Sequence, residues 1–198
     1  MERLSFPFDE KKVPLNGIYV LFEKGENAHD GDRIVRVGSH TGKDQLKSRI
    51  NQHFLSENKD RSIFRKNIGR ALLNRTKDPY LKVWELDLTT RDSKEKFGDL
   101  IDSEKQDEIE KQVTKQLQEN FSFVVFSIND SEERLEFESK LISTISHCRG
   151  CNPSKEWMGF HSPKQKIRES GLWLVNELYK EPLSGEELKR LKKLIERK

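Results

Sequence analysis

The sequence predicts an α/β domain: a small mixed or antiparallel sheet of three to four strands flanked by helices, with a helical insertion and a C-terminal helical appendage. Three observations predict it. Two short apolar runs tied to glycines, "GIYVLFE" and "DRIVRVG", follow one another closely. Two segments with apolar residues at helical spacing come next. A third apolar run, "FSFVVFSI", then leads into a helix with a capping signal.

The first two runs suit an antiparallel hairpin with Gly25 to Asp32 as its tip. "GKDQLKSRINQHF" reads as a helix with Leu46, Ile50 and Phe54 on its apolar side. "SIFRKNIGRALLNR" is a second helix, carrying Ile63, Phe64, Ile68, Leu72 and Leu73 at helical spacing. "PYLKVWELDL" alternates Leu81, Val83 and Glu85 with Lys82 and Trp84, which predicts a strand. Arg91 to Asn120, with nine acids and six bases, reads as a peripheral insertion holding a helix near "DEIEKQVTKQLQEN". "FSFVVFSI" is apolar enough for a central strand or one lying under a helix. Asp130 is the expected N-cap of "SEERLEFESKLISTISHC", with Glu133 at the reciprocal position. "GLWLVNELYK" is expected to be at least partly helical, and Ser184 with Glu187 forms a capping box for the final helix. These elements divide the chain into a domain over residues 14–160 and a helical segment over 161–198 packed on or extending it.

Composition narrows the class. A chain of 198 residues with 33% hydrophobic and 36% charged side chains is polar, yet its 11 Phe and 3 Trp supply a core. No run reaches the roughly 20 apolar residues of a membrane span. "MERLSFPFDEKKVP" does not read as a signal peptide. With only two cysteines, a reducing, cytoplasmic setting is expected. "VGSHTGKD" lacks the spaced glycines of a phosphate loop, which argues against a doubly wound nucleotide fold. Between Thr41 and Tyr80, ten Lys/Arg face four acids, a local +6 that could attract a polyanion; solvated helix faces also collect such residues.

Several residue types invite chemistry. Arg49 and His53, four apart on the first helix, join a rigid donor fork to a group that relays protons near neutral pH, a combination suited to phosphate. An incidental surface pair has the same spacing. Glu138 lies between Phe137 and the pair Leu141–Ile142, where a carboxylate can face a cleft and hold a divalent cation; Glu136 competes for that role. Asn152 soon follows and could orient a neighbour, although Asn-Pro is ordinary turn chemistry. "CRGC", Cys148 to Cys151, has half a zinc site's spacing, but His147 and His161 are the only nearby additional ligands. A redox pair should open a helix rather than close one, so neither role is expected there.

Taken in order, "GIY" (Gly17, Ile18, Tyr19), "RVG" (Arg36, Val37, Gly38), "LKSRINQH" with Arg49 and His53, "FESKLI" with Glu138, and then Asn152 resemble the GIY-YIG nuclease family. "DRSIFRKNIGRALL", "SPKQKIRESGLW" and "VRVGSHTG" further resemble a group of stand-alone bacterial members. Two features depart from the pattern: Arg36 stands at the second motif's tyrosine, and the loop between the motifs is long.

The resemblance implies a GIY-YIG-like fold and hydrolysis of phosphodiester bonds in DNA with one Mg2+ or Mn2+ per site, held by Glu138. It implies that Tyr19 activates the attacking water with His53 as partner, that Arg49 stabilises charge on the phosphoryl oxygens, and that Asn152 positions the site. Arg36, Lys47, Arg61 and Arg65 would contact phosphate. Double-stranded DNA is the expected partner, and Leu188, Leu191 and Leu194 could support a homodimer. Two alternatives remain open at this stage: an RNA-directed nuclease, and a non-catalytic nucleic-acid-binding module on a nuclease scaffold.

Overall fold

A computed structural model describes residues 1–196. Four strands form one antiparallel sheet: β1 (Leu4–Ser5), β2 (Gly17–Ala28), β3 (Gly31–Gly38) and β4 (Phe121–Ser127), in the order β1-β4-β2-β3. Among the described residues eight α-helices surround it: α1 (Leu46–Phe54), α2 (Ile63–Arg75), α3 (Leu81–Trp84), α4 (Arg91–Phe97), α5 (Ser103–Asn120), α6 (Ser131–Ser146), α7 (Gln165–Ser170) and α8 (Gly185–Glu196). The α/β architecture expected from the sequence is present, and the sheet is wholly antiparallel.

The apolar runs of β2 and β4 are nearly continuous because both sheet faces are covered. Tyr19, Leu21 and Phe123 point to one side, where Ile50, Phe54, Phe64, Ile68, Val113 and Leu117 of α1, α2 and α5 pack. Ile18, Val20, Val124 and Phe126 point to the other, against Phe137 and Ile142 of α6 and Leu191 of α8. Leu194 packs on this second cluster too, leaving only Leu188 of the three C-terminal leucines exposed.

Several expectations are corrected. The hairpin tip is shorter than Gly25 to Asp32, because Ala28 already pairs with Gly31 and only His29 and Asp30 turn, both with positive φ. Residues 81–84 are helical, not a strand. Asp78 accepts the Tyr80 N–H (2.9 Å), and Trp84 turns inward to donate to the Lys66 carbonyl (3.0 Å). Trp84 covers Gly69 so closely that a Cβ there would lie 2.3 Å from its ring. The insertion is not peripheral throughout: α5 buries Ile109, Val113 and Leu117, a stripe at four-residue spacing, in the first core.

"GLWLVNELYK" forms no helix. The left-handed Gly171 ends α7, and Leu172, Trp173 and Leu174 then alternate between the two cores while the Trp173 N–H donates to the Val35 carbonyl (2.8 Å). Asp130 caps α6 by accepting the Glu133 N–H (2.8 Å), but the Glu133 carboxylate pairs with Arg190 (2.5 Å) rather than closing the box. Both bonds of the Ser184–Glu187 box are present.

The basic block is not a free patch. Lys59 and Lys66 pair with Asp60, Arg65 with Glu110, and Arg70 with Glu85, so four of the ten bases are buried in ion pairs. Two of those acids lie outside the block in sequence.

Candidate active site

Beyond Gly38, at the sheet edge, α1 approaches from one face and α6 from the other. Between them lies a cleft of about 430 Å³ lined by Ser39, His40, Gly42, Arg49, Gln52 and Glu138, among others. Each wall is fixed by identifiable bonds. Arg134, fully buried one turn before Glu138, donates to the carbonyls of His40 (3.3 Å) and Ile128 (3.1 Å), tying α6 to the segment after β3. His40 donates from Nδ1 to the Gly42 carbonyl (2.6 Å) and accepts the Gly17 N–H at Nε2 (3.3 Å). That pattern requires the neutral ring, and burial lowers the His40 pKa in the same direction.

Glu138 is half-buried at the cleft wall. Its Oε2 accepts from the Ser39 hydroxyl, while Oε1 has no hydrogen bond among the described residues. Arg49 also lines the cleft. Its Nη1 donates to Gln52 Oε1 and the Arg61 carbonyl, both at 3.1 Å, which holds the guanidinium at the rim.

His53, four residues on, turns inward instead. It is fully buried, with Nε2 2.8 Å from the Tyr19 hydroxyl and Nδ1 2.7 Å from Ser62 Oγ. Ser62 is the N-cap of α2 and accepts the Arg65 N–H. Burial first, then the charges of Arg49, Arg36 and Arg65, hold the imidazole pKa well below its ordinary value. A neutral His53 therefore joins a buried Tyr19–His53–Ser62 chain.

Tyr19 is fully buried behind Gly38: a Cβ on that glycine would lie 2.2 Å from the phenolic oxygen. The motif glycine is thus required by the approach of the motif tyrosine. Gly17 has a similar reason, since its Cβ would lie 2.1 Å from the Phe126 carbonyl oxygen.

The structure gathers some of the sequence-derived residues and disperses others. Arg49 and Glu138 share the cleft, with Tyr19 and His53 behind its wall. Arg36 is buried, donates to the Trp173 carbonyl (2.5 Å), and lies over the Phe64 ring. Arg65 is fully buried, with two hydrogen bonds to the Glu110 carboxylate. Arg61 is exposed beside α1, and Lys47 is partly exposed on α1 away from the cleft lining. Asn152 is exposed and donates to the Arg149 carbonyl (3.1 Å), outside the cleft. Ser39 and His40 were missed as cleft residues; their signal was the Ser-His pair directly after Gly38.

The GIY-YIG domain model matches residues 2–198. The chain belongs to the GIY-YIG family. This is a nuclease family whose members are typically endonucleases and generally depend on a divalent metal. No curated protein and no solved structure gives a significant match. In this GIY-YIG chain the two motif strands are β2 and β3, and the segment that spaces them is a continuous, irregular hairpin rather than a loop.

The cleft fits a hard divalent ion. It offers one carboxylate with a free oxygen, beside open space for water and a phosphate. Magnesium usually keeps several waters and takes one or two protein carboxylates together with substrate phosphate oxygens. Glu138 would hold it.

Proposed function

We propose that this GIY-YIG protein is a divalent-metal-dependent endonuclease that hydrolyses phosphodiester bonds in DNA. The observation that carries the reading is the placement of Glu138 and Arg49 in one cleft, in front of the buried Tyr19–His53 pair.

Each residue has a task suited to its environment. Arg49 stands at the rim with a permanent charge and stabilises the negative charge that grows on the phosphoryl oxygens. Neutral His53 is the hydrogen-bond partner that orients the Tyr19 hydroxyl, the group assigned to activate the attacking water. Ser62 fixes the imidazole ring from its other nitrogen. Ser39 orients the Glu138 carboxylate by donating to one oxygen, and the other oxygen would hold the ion. The ion, Mg2+ or Mn2+, would supply Lewis-acid stabilisation of the phosphate and its leaving oxygen.

The decisive experiment incubates wild type and Glu138→Ala with mixed single- and double-stranded DNA and RNA, with and without Mg2+ or Mn2+. Metal-dependent DNA cleavage is expected from wild type and none from folded Glu138→Ala. Equal cleavage by the two proteins overturns the metal assignment; cleavage of RNA alone overturns DNA as substrate.

One observation favours a second reading, a nucleic-acid-binding module without turnover. The Tyr19 hydroxyl is wholly covered, and the second motif's tyrosine position holds an arginine committed to the Trp173 carbonyl. Salt-sensitive DNA binding with no product under either metal supports that module and excludes the enzyme.

A further inference from the structure

The "CRGC" pair acquires a partner that its sequence neighbours do not supply. His29, at the tip of the β2–β3 hairpin, places Nε2 3.1 Å from Cys148 Sγ and 3.1 Å from Cys151 Sγ. The three ligand atoms lie within 4.8 Å of one another, the one such group of three His, Cys, Asp or Glu residues among the described residues. Both cysteines are free thiols and partly exposed.

The backbone is arranged for this meeting. His29 and Asp30 both have positive φ, so a two-residue turn projects the imidazole from the hairpin end. Gly150, between the cysteines, lets the ring approach: a Cβ there would lie 2.8 Å from His29 Cε1. Asp32 at the same hairpin end is paired with Arg3, and His147 is bonded to the Ser143 carbonyl, so neither group competes for the position.

We propose that His29 Nε2, Cys148 Sγ and Cys151 Sγ bind a thiophilic divalent cation, zinc before others, and so clasp the hairpin tip to the segment after α6. Tetrahedral zinc with ordinary bond lengths requires N···S separations of about 3.6 Å and an S···S separation of about 3.8 Å. The 3.1 Å separations must therefore open by only about half an ångström, a side-chain adjustment. Two thiolates and an imidazole select zinc over magnesium or calcium, which take oxygen donors. On binding, the two thiols release their protons to solvent and water fills the fourth position. The clasp joins two elements that also meet at the cleft, since β3 leads into Ser39 and α6 carries Glu138. It is distinct from the Glu138 site in both ligand chemistry and place.

The test uses the full chain, reduced, stripped with chelator and titrated anaerobically with Co2+. One equivalent is expected to give a thiolate-to-cobalt charge-transfer band and the intense visible bands of tetrahedral cobalt, both displaced by Zn2+. Glu138→Gln leaves that spectrum unchanged. His29→Ala weakens binding and alters the visible bands, because a nitrogen ligand is lost; Cys148→Ser and Cys151→Ser remove the charge-transfer band or halve it. In wild type, Zn2+ slows alkylation of both cysteines, a readout independent of how any variant folds. No charge-transfer band, an unchanged spectrum in His29→Ala, or a Cys148–Cys151 disulfide in protein kept reduced and anaerobic overturns the proposal.

Discussion

The Tyr19 hydroxyl and His53 Nε2 lie 2.8 Å apart, both in full burial, on neighbouring elements of the first core. A tyrosine and a histidine placed there need each other whatever else they do, because a buried hydroxyl or imidazole without a partner costs about 1–3 kcal/mol. Stability and catalysis therefore make different demands on the same pair, and variants can separate them.

Tyr19→Phe keeps the ring and removes only the oxygen. If the pair activates water, DNA cleavage falls by about 10²–10⁴-fold. Stability falls by only about 1–3 kcal/mol, the cost of leaving His53 Nε2 unpaired. Single-turnover cleavage and a urea titration, run on the same preparation, give the two numbers. Loss of stability with undiminished cleavage assigns Tyr19 to the core alone.

Gly38→Ala should destabilise the fold by about 1–3 kcal/mol, because the added methyl meets a ring locked in place by His53. Tyr19→Phe does not rescue it. The tyrosine Cζ itself lies 2.4 Å from the new Cβ, so removing the oxygen leaves the clash. Restored stability in the double variant, measured by thermal melting, contradicts this geometry.

Two buried groups give opposite pH slopes. His53 is held neutral in the fold, while the unfolded chain protonates it near pH 6.5. The unfolded state thus binds more protons below about pH 6.5, and stability falls as pH drops through that value, by up to about 1.4 kcal/mol per unit. Glu23 accepts from both Trp157 and Trp173 Nε1 at 2.9 Å, yet burial pushes its pKa up to about 7. Between its ordinary 4.5 and about 7 the folded state holds the extra proton, so stability falls as pH rises through that window. The two slopes oppose each other just below about pH 6.5, where the His53 and Glu23 windows overlap. In urea titrations, Glu23→Gln should uncover the His53 slope and His53→Gln the Glu23 slope. Parallel pH profiles for wild type and both variants contradict the assignments.

What the sequence made legible follows from range. The β2–β3 hairpin, β4 and the cap of α6 are written in contiguous residues, and Tyr19, Arg49, His53 and Glu138 each stand in a short motif whose order along the chain is legible. Residues 81–84 misled because Leu81, Val83 and Glu85 alternate over a stretch too short to distinguish two periods, and Trp84 decides the matter by packing on Gly69. The segment after Gly171 shows no period because its consecutive apolar residues serve two cores. In α5, charge concealed a stripe of three core residues. At the site, Ser39 becomes visible as a cleft residue only when α6 brings Glu138 to it across 99 positions. His29 meets its cysteines across 119 and 122 positions, beyond any local spacing rule.

The same limit of range governs Arg65. Within the basic block it reads as a phosphate contact, but its partner Glu110 lies 45 positions later on α5. Arg65 also donates to the His53 carbonyl (3.0 Å) and Thr114 Oγ1 (2.8 Å), so it links α1, α2 and α5 beneath the Tyr19–His53 pair. Burial of such a pair adds little net stability, but removing one partner strands a charge and costs about 3–5 kcal/mol. Glu110→Ala, which removes no cation from the surface, should therefore destabilise the protein as severely as Arg65→Ala. A direct phosphate contact predicts something else: Arg65→Ala would keep its stability and lower the salt dependence of DNA binding by about one unit in the log–log slope. Urea titrations of both variants, with DNA affinity measured across salt concentrations, discriminate the two roles. The buried pair predicts two destabilised proteins and an unchanged slope in whatever fraction remains folded.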